Sequence, residues 1–119
     1  MIMSDIKRMH MAARYSDTAV HNGVVYLAGQ VPTDTSQDMA GQAREVLETI
    51  DRLLNEVGSD KSRILMTQIF LPDLKDYDVM NVVWDSWVVA GHAPPRATIQ
   101  AKLANPDWKI EVVVTAAVR

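Results

Sequence analysis

Three observations place this sequence in the α+β class. They are a strong hairpin signal near its start, only two segments of helical period, and a strictly alternating last third. The order they spell, β-β-β-α-β-α-β-β, predicts one sheet carrying both helices on one face. Nothing in the chain is left over to cover the other face. Something else must.

The elements follow in order. A first strand is expected at about Ile6–Met9. Residues 18–21 and 24–27 flank Asn22-Gly23, a pair that readily takes positive φ at both central positions of a tight hairpin turn. The segment Gly29-Gln30-Val31-Pro32 ends the second hairpin strand, since Pro32 cannot continue a ladder. From about Ser36 to Val57 the period becomes 3.6, with Met39, Ala43, Val46, Leu47, Ile50, Leu53, Leu54 and Val57 on one face. Thr35 or Ser36 is the expected cap, with Asp38 in the first turn and Gly58 as the stop. The apolar run Ile64–Leu71 has the length of a strand covered on at least one face. Asp76 is positioned to cap a second helix bearing Tyr77, Met80, Val83, Trp84, Trp87 and Val88, before Gly91 and Pro94-Pro95. Strands at about Arg96–Ala101 and Lys109–Ala117 flank a turn at Asn105-Pro106-Asp107.

At 119 residues the chain is a single domain, 1–119, large enough to bury a core without a metal or disulfide staple. It contains no cysteine, which removes thiolate metal sites and cysteine nucleophiles together. The net charge of −3 gives a nucleic-acid partner no general electrostatic help. No stretch approaches the run of about twenty apolar residues of a membrane span, and Met1–Asp5 shows no charged region leading into one. A cytoplasmic protein with neither membrane nor nucleic-acid partner is expected. His10, His21 and His92 are scattered without ligand spacing, so no metal is expected. Residues 58–62 lack the leading glycine spacing of a phosphate loop and read as a helix stop and turn. Trp84 and Trp87, three apart on a helix, read as packing residues; Trp108, just before a strand, could line a pocket or a subunit contact, with core or interface packing the favoured reading.

The last third carries the chemistry. Paired as a hairpin, its strands place Ala97, Ile99 and Ala101 on the side of Ile110, Val112, Val114 and Ala116. Arg96 and Glu111 then become diagonal neighbours on the opposite side, roughly 7–8 Å apart at the backbone. One reading is a solvated cross-strand ion pair of little energetic consequence. The other uses Arg96 as a planar fork for a substrate carboxylate and Glu111 to position or deprotonate a water. The place of Arg96, at the mouth of a strand stiffened by Pro94-Pro95, favours the second.

Those residues also carry a resemblance. Residues 91–96 (Gly-His-Ala-Pro-Pro-Arg), the following 97–103 and the strand 109–118 resemble the C-terminal signature of the YjgF/YER057c/UK114 family, also called Rid for reactive intermediate deaminase. Residues 27–32 resemble its Ser-Gly-Gln-Ile/Val-Pro element, and the likeness runs from about Tyr15 to Val118, in the manner of a divergent bacterial branch. It implies a chorismate-mutase-like fold, a mixed sheet with two helices on one face, assembled as a homotrimer with pockets at the subunit interfaces. It implies cofactor-independent hydrolysis of small 2-imino or enamino acids, such as 2-aminoacrylate and 2-iminobutanoate, to 2-oxo acids and ammonia. Carried over by position, it makes Arg96 the carboxylate ligand, Glu111 the holder of the attacking water and Tyr15 a pocket tyrosine. Gly29, Asn81 and the backbone amide of Thr98 complete the substrate contacts. Ala28 stands where the family has serine, and Thr98 where it has cysteine. Ala28 favours an alternative, a non-catalytic trimer binding small carboxylates as a sensor or partner of a metabolic enzyme. The family's older label, endoribonuclease, sits poorly with the acidic charge.

Overall fold

The structure, a computed structural model, describes residues 5–119; the reading of Met1–Ser4 lies outside them. Three strands open the chain, β1 (Lys7–Met11), β2 (Ser16–His21) and β3 (Val24–Leu27). The β2–β3 turn is built as its residues dictate, with φ of 50° at Asn22 and 77° at Gly23 and His21 directly opposite Val24. Helix α1 (Met39–Glu56) follows, then β4 (Ile64–Leu71), α2 (Tyr77–Trp87), β5 (Arg96–Gln100) and β6 (Glu111–Ala117). This is the expected order of elements. The six strands form one mixed sheet in the order β1-β2-β3-β6-β4-β5, with β4 and β5 parallel and the other pairs antiparallel.

Both helices pack on one face. Ile50 and Leu54 of α1 and Met80 and Val83 of α2 are buried with Val25, Ile69, Leu71, Val112 and Val114 of the sheet. On the opposite face, Tyr26 and Met66 stand about half exposed, on either side of Thr115, each opposite it in register. That is the uncovered face the element order foretold.

Details depart from expectation at the helix starts. The cap of α1 is Asp38, whose carboxylate accepts from the Gly41 amide at 2.9 Å, and not Thr35 or Ser36. Those two belong to a loop held from the helix side, where the Glu45 carboxylate accepts from the Thr33 and Asp34 amides. Asp76 occupies the cap position of α2 without a side-chain capping bond; Asp73 instead accepts from the Lys75 amide in the preceding 3₁₀ turn. Gly58, at φ 77°, closes α1 as expected: its amide and that of Ser59 bond back to Asn55 and Leu54 carbonyls.

The larger correction concerns the last third. β5 and β6 do not pair, because β4 runs between them. The β4–α2–β5 unit is a parallel crossover, so β5 lies beside β4, and the chain then passes over to enter β6 between β4 and β3. The turn at residues 105–108 exists, with the Asn105 side chain accepting from the Asp107 amide at 2.8 Å, but it belongs to a crossover and not a hairpin. Gln42, fully buried on α1, anchors that crossover: it donates to the Asp107 carbonyl and accepts from the Lys109 amide at 2.8 Å. Its position on an otherwise apolar helix face was the available signal.

Candidate active site

Register decides where the two central residues fall. Arg96 lies opposite Thr67, which is fully buried on the helix side, and Thr67 lies opposite the buried Val114. Arg96 therefore projects to the helix side. Glu111 lies opposite Phe70 and alternates with the buried Val112, so it projects to the uncovered side. The two are on opposite faces of the sheet, two strands apart and offset by three residues along β4, roughly 14 Å at the backbone. The diagonal pair is thus overturned, and with it the cross-strand ion pair. The same parity turns Ala97 and Ile99 away from the core, and Ile99 is 39% exposed.

Each residue instead sits in its own cavity. The first, about 440 Å³, is lined by Arg96, Thr98, Leu74 and Tyr77. The second, about 490 Å³, is lined by Glu111, Tyr15, Asp17, Ala28, Gly29, Gln30, Val31 and Trp108. The expected site residues divide between them: Arg96 and Thr98 in one, Glu111, Tyr15 and Gly29 in the other. Asn81 lines neither; it lies one helical turn beyond Tyr77 on α2.

The Arg96 cavity places a guanidinium against aromatic rings. The guanidinium carbon is 5.3 Å from the Trp84 ring centre and 6.0 Å from that of Tyr77, an aromatic shelf that fixes the plane of the fork. Trp84 thus does more than pack. At β5, an edge strand, the Thr67 amide bonds to the Pro95 carbonyl and the Ala101 amide to Leu71. In a parallel ladder that parity turns the amides of residues 97 and 99 toward β4, and the Thr98 N–H toward the open edge, free to donate. The Thr98 hydroxyl is buried with no hydrogen-bond partner among the described residues.

The Glu111 cavity is held by backbone contacts. The amides and carbonyls of Gln30 and Val112 bond reciprocally at 2.8 and 3.0 Å, pinning residues 28–31 beside the start of β6. Gln30 is buried and donates to the Asp17 carboxylate at 3.3 Å. Gly29 has a positional reason: a Cβ there would lie 2.0 Å from Glu111 Oε2 and 2.9 Å from its Cδ. The carboxylate rests in the space a side chain would fill. Tyr15, 61% exposed, and Trp108 belong to its wall.

Asp17, Gln30, Tyr77 and the shelf role of Trp84 escaped the sequence reading. For the last two the signal was their seven-residue spacing on one helix face. Among the described residues, no three histidines or carboxylates gather as a metal site.

Comparison with known proteins converges on one family. The model of the endoribonuclease L-PSP family matches residues 5–118. A RutC family protein of Haemophilus ducreyi is 50% identical over 113 residues, covering 95% of this chain and 97% of its own. The 3-aminoacrylate deaminase RutC of Acinetobacter baylyi is 32% identical, covering 87% and 86%. A crystal structure of a YjgF family member from Neisseria meningitidis superposes with a TM-score of 0.95 at 44% identity, covering 98% and 97%.

Proposed function

The chain belongs to the endoribonuclease L-PSP family, which takes in the YjgF and RutC proteins, and on that premise we propose that it hydrolyses small 2-imino or enamino acids to 2-oxo acids and ammonia. The observation that carries the reading is the Arg96 cavity: a guanidinium fixed on two aromatic rings beside a free edge amide, a fit for a planar carboxylate. A relative named as a 3-aminoacrylate deaminase supports the reaction class.

The division of the site supports a second part of the proposal. Arg96 and Glu111 cannot meet around one small substrate within one chain, and the sheet face bearing Glu111 is uncovered and rich in exposed apolar side chains. We propose a homotrimer in which the Arg96 cavity of one subunit faces the Glu111 cavity of the next, so that each interface holds one complete site. Head-to-tail contact between two different surfaces is what closes a ring of three subunits.

In such a site the chemistry is light. An imine is already electrophilic. Arg96 and the Thr98 amide hold the carboxylate and so orient the imine carbon. Glu111 accepts a proton from a water as that water's oxygen bonds to the imine carbon and passes it to the nitrogen, giving a tetrahedral amino alcohol. Glu111 then takes the hydroxyl proton as the C–N bond breaks and hands it to the departing nitrogen, so that ammonia and the 2-oxo acid leave. Tyr15 and Trp108 close the opening. A cytoplasmic setting suits such substrates; no helix among the described residues is long and apolar enough to cross a membrane.

The test is a coupled assay in which a threonine dehydratase generates 2-iminobutanoate with semicarbazide present as a trap. Wild type should suppress trapping and Arg96→Ala should not. Equal trapping with both proteins and the blank would remove the deaminase reading. Ala28 favours the second reading, a carboxylate-binding trimer without turnover, because it puts a methyl group in the Glu111 cavity where the resemblance implies a serine hydroxyl. That reading predicts thermal stabilisation by 2-oxo acids and no hydrolysis.

A further inference from the structure

Tyr77 is the first residue of α2 and is 40% exposed. Arg96 Nη2 donates to the Tyr77 hydroxyl across 3.4 Å, a long hydrogen bond. A guanidinium has no acceptor, so the phenol oxygen is the acceptor and its own proton is not used there. No other hydrogen bond of this hydroxyl is found among the described residues. The ring alone would give the same packing; the hydroxyl adds a neutral donor at the lip of the carboxylate cavity. A carboxylate oxygen bound to Nη2 at about 2.8 Å can also lie within hydrogen-bonding range of a phenol oxygen 3.4 Å from the same nitrogen. Thr98 lines the same cavity.

Resting on the carboxylate-binding reading of this cavity, we propose that Tyr77 is a substrate-binding residue, its phenol donating to the carboxylate oxygen that Arg96 holds. The cavity is thereby selective for 2-imino and 2-oxo carboxylates over their uncharged amides or esters. Guanidinium and phenol act as one unit. The phenol adds a third donor to those of Arg96 and the Thr98 amide without adding charge.

Tyr77→Phe removes the hydroxyl and keeps the ring against Arg96. Binding of 2-oxobutanoate is measured calorimetrically for wild type, Tyr77→Phe, Arg96→Ala and the double variant, alongside imine turnover. The expected result is about tenfold weaker 2-oxobutanoate binding and a KM raised to match, with kcat within about twofold. In the Arg96→Ala background the second change should add nothing, since the two side chains share one ligand group. A purely structural role would instead lower thermal stability and kcat together. Binding and KM within twofold of wild type would overturn the proposal while leaving the deaminase reading intact. Weakened binding in a protein that turns over no imine would uphold Tyr77 and overturn the deaminase reading alone. A wild type that binds no 2-oxobutanoate would overturn the assignment of Tyr77.

Discussion

Substitution of Gly29 by alanine tests the Glu111 half of the site without replacing any charged residue. The new Cβ would lie 2.0 Å from Glu111 Oε2 and 3.2 Å from its Cγ, where ordinary contact begins near 3.4 Å. The carboxylate oxygen must therefore withdraw by at least about 1.4 Å, the difference between those two distances. The backbone at Gly29 is not left-handed, so alanine brings no φ strain, and the atom displaced is the end of a flexible side chain. The fold should tolerate the change, with a stability loss under about 1 kcal/mol. Catalysis should not, because a displacement of about 1 Å at a positioned group costs on the order of a hundredfold in rate. The semicarbazide-coupled assay should show kcat reduced about a hundredfold, with 2-oxobutanoate binding at Arg96 nearly unchanged. Wild-type kcat in Gly29→Ala would refute the placement of Glu111 against the water.

Further consequences follow from the fold. Asp38→Ala should cost about 1 kcal/mol by freeing the Gly41 amide, lowering Tm by roughly 4 °C in a thermal melt; Ser36→Ala should leave Tm unchanged, and the reverse order would return the cap to Ser36. The Thr33 amide, above all, holds the Glu45 carboxyl below its usual range, and the Ser62 hydroxyl does the same for Asp60. Lowered native values mean that the unfolded chain takes up protons first as pH falls. This stabilisation is complete above the ordinary carboxylate range, near pH 4, and is lost as pH drops through the lowered values. Glu45→Gln should flatten the acid limb of Tm against pH, and an unaltered limb would remove the Thr33 contact from the account. Met66→Lys, on the uncovered face, should yield folded monomers by light scattering; an unchanged assembly would place the subunit contact elsewhere.

How far the sequence reaches into this structure depends on what each pattern encodes. Asn22-Gly23 encodes a local conformation, and the period of Met39–Leu54 encodes a buried face, so both hairpin and helix were legible. The alternation of Val112, Val114 and Ala116 correctly marked which side of β6 is buried. It carried no information on which strand lies alongside. Two adjacent alternating strands joined by a turn read as a hairpin, whereas the crossover through α2 placed β4 between them and reversed the facing of Arg96. Arg96 and Glu111 stood out by their strand positions, and Tyr15, Gly29, Asn81 and Thr98 by resemblance; all but Asn81 line one of the two cavities. The separation of Arg96 and Glu111 onto two faces was not legible, because it is a property of strand order. Tyr77 and Trp84 were visible as apolar helix positions, but their contact with Arg96 depends on α2 lying over the β5 edge.

The central claim is that a working site takes Arg96 from one subunit and Glu111 from its neighbour. Arg96→Ala and Glu111→Gln should each be inactive as homogeneous assemblies. Unfolded together in equal amounts and refolded, they should form mixed trimers. At any one interface the chance that the intact Arg96 meets the intact Glu111 is a half times a half, so about one quarter of wild-type activity should return. No recovery from a sample shown to contain mixed trimers would contradict the account, and would return both residues to a single chain.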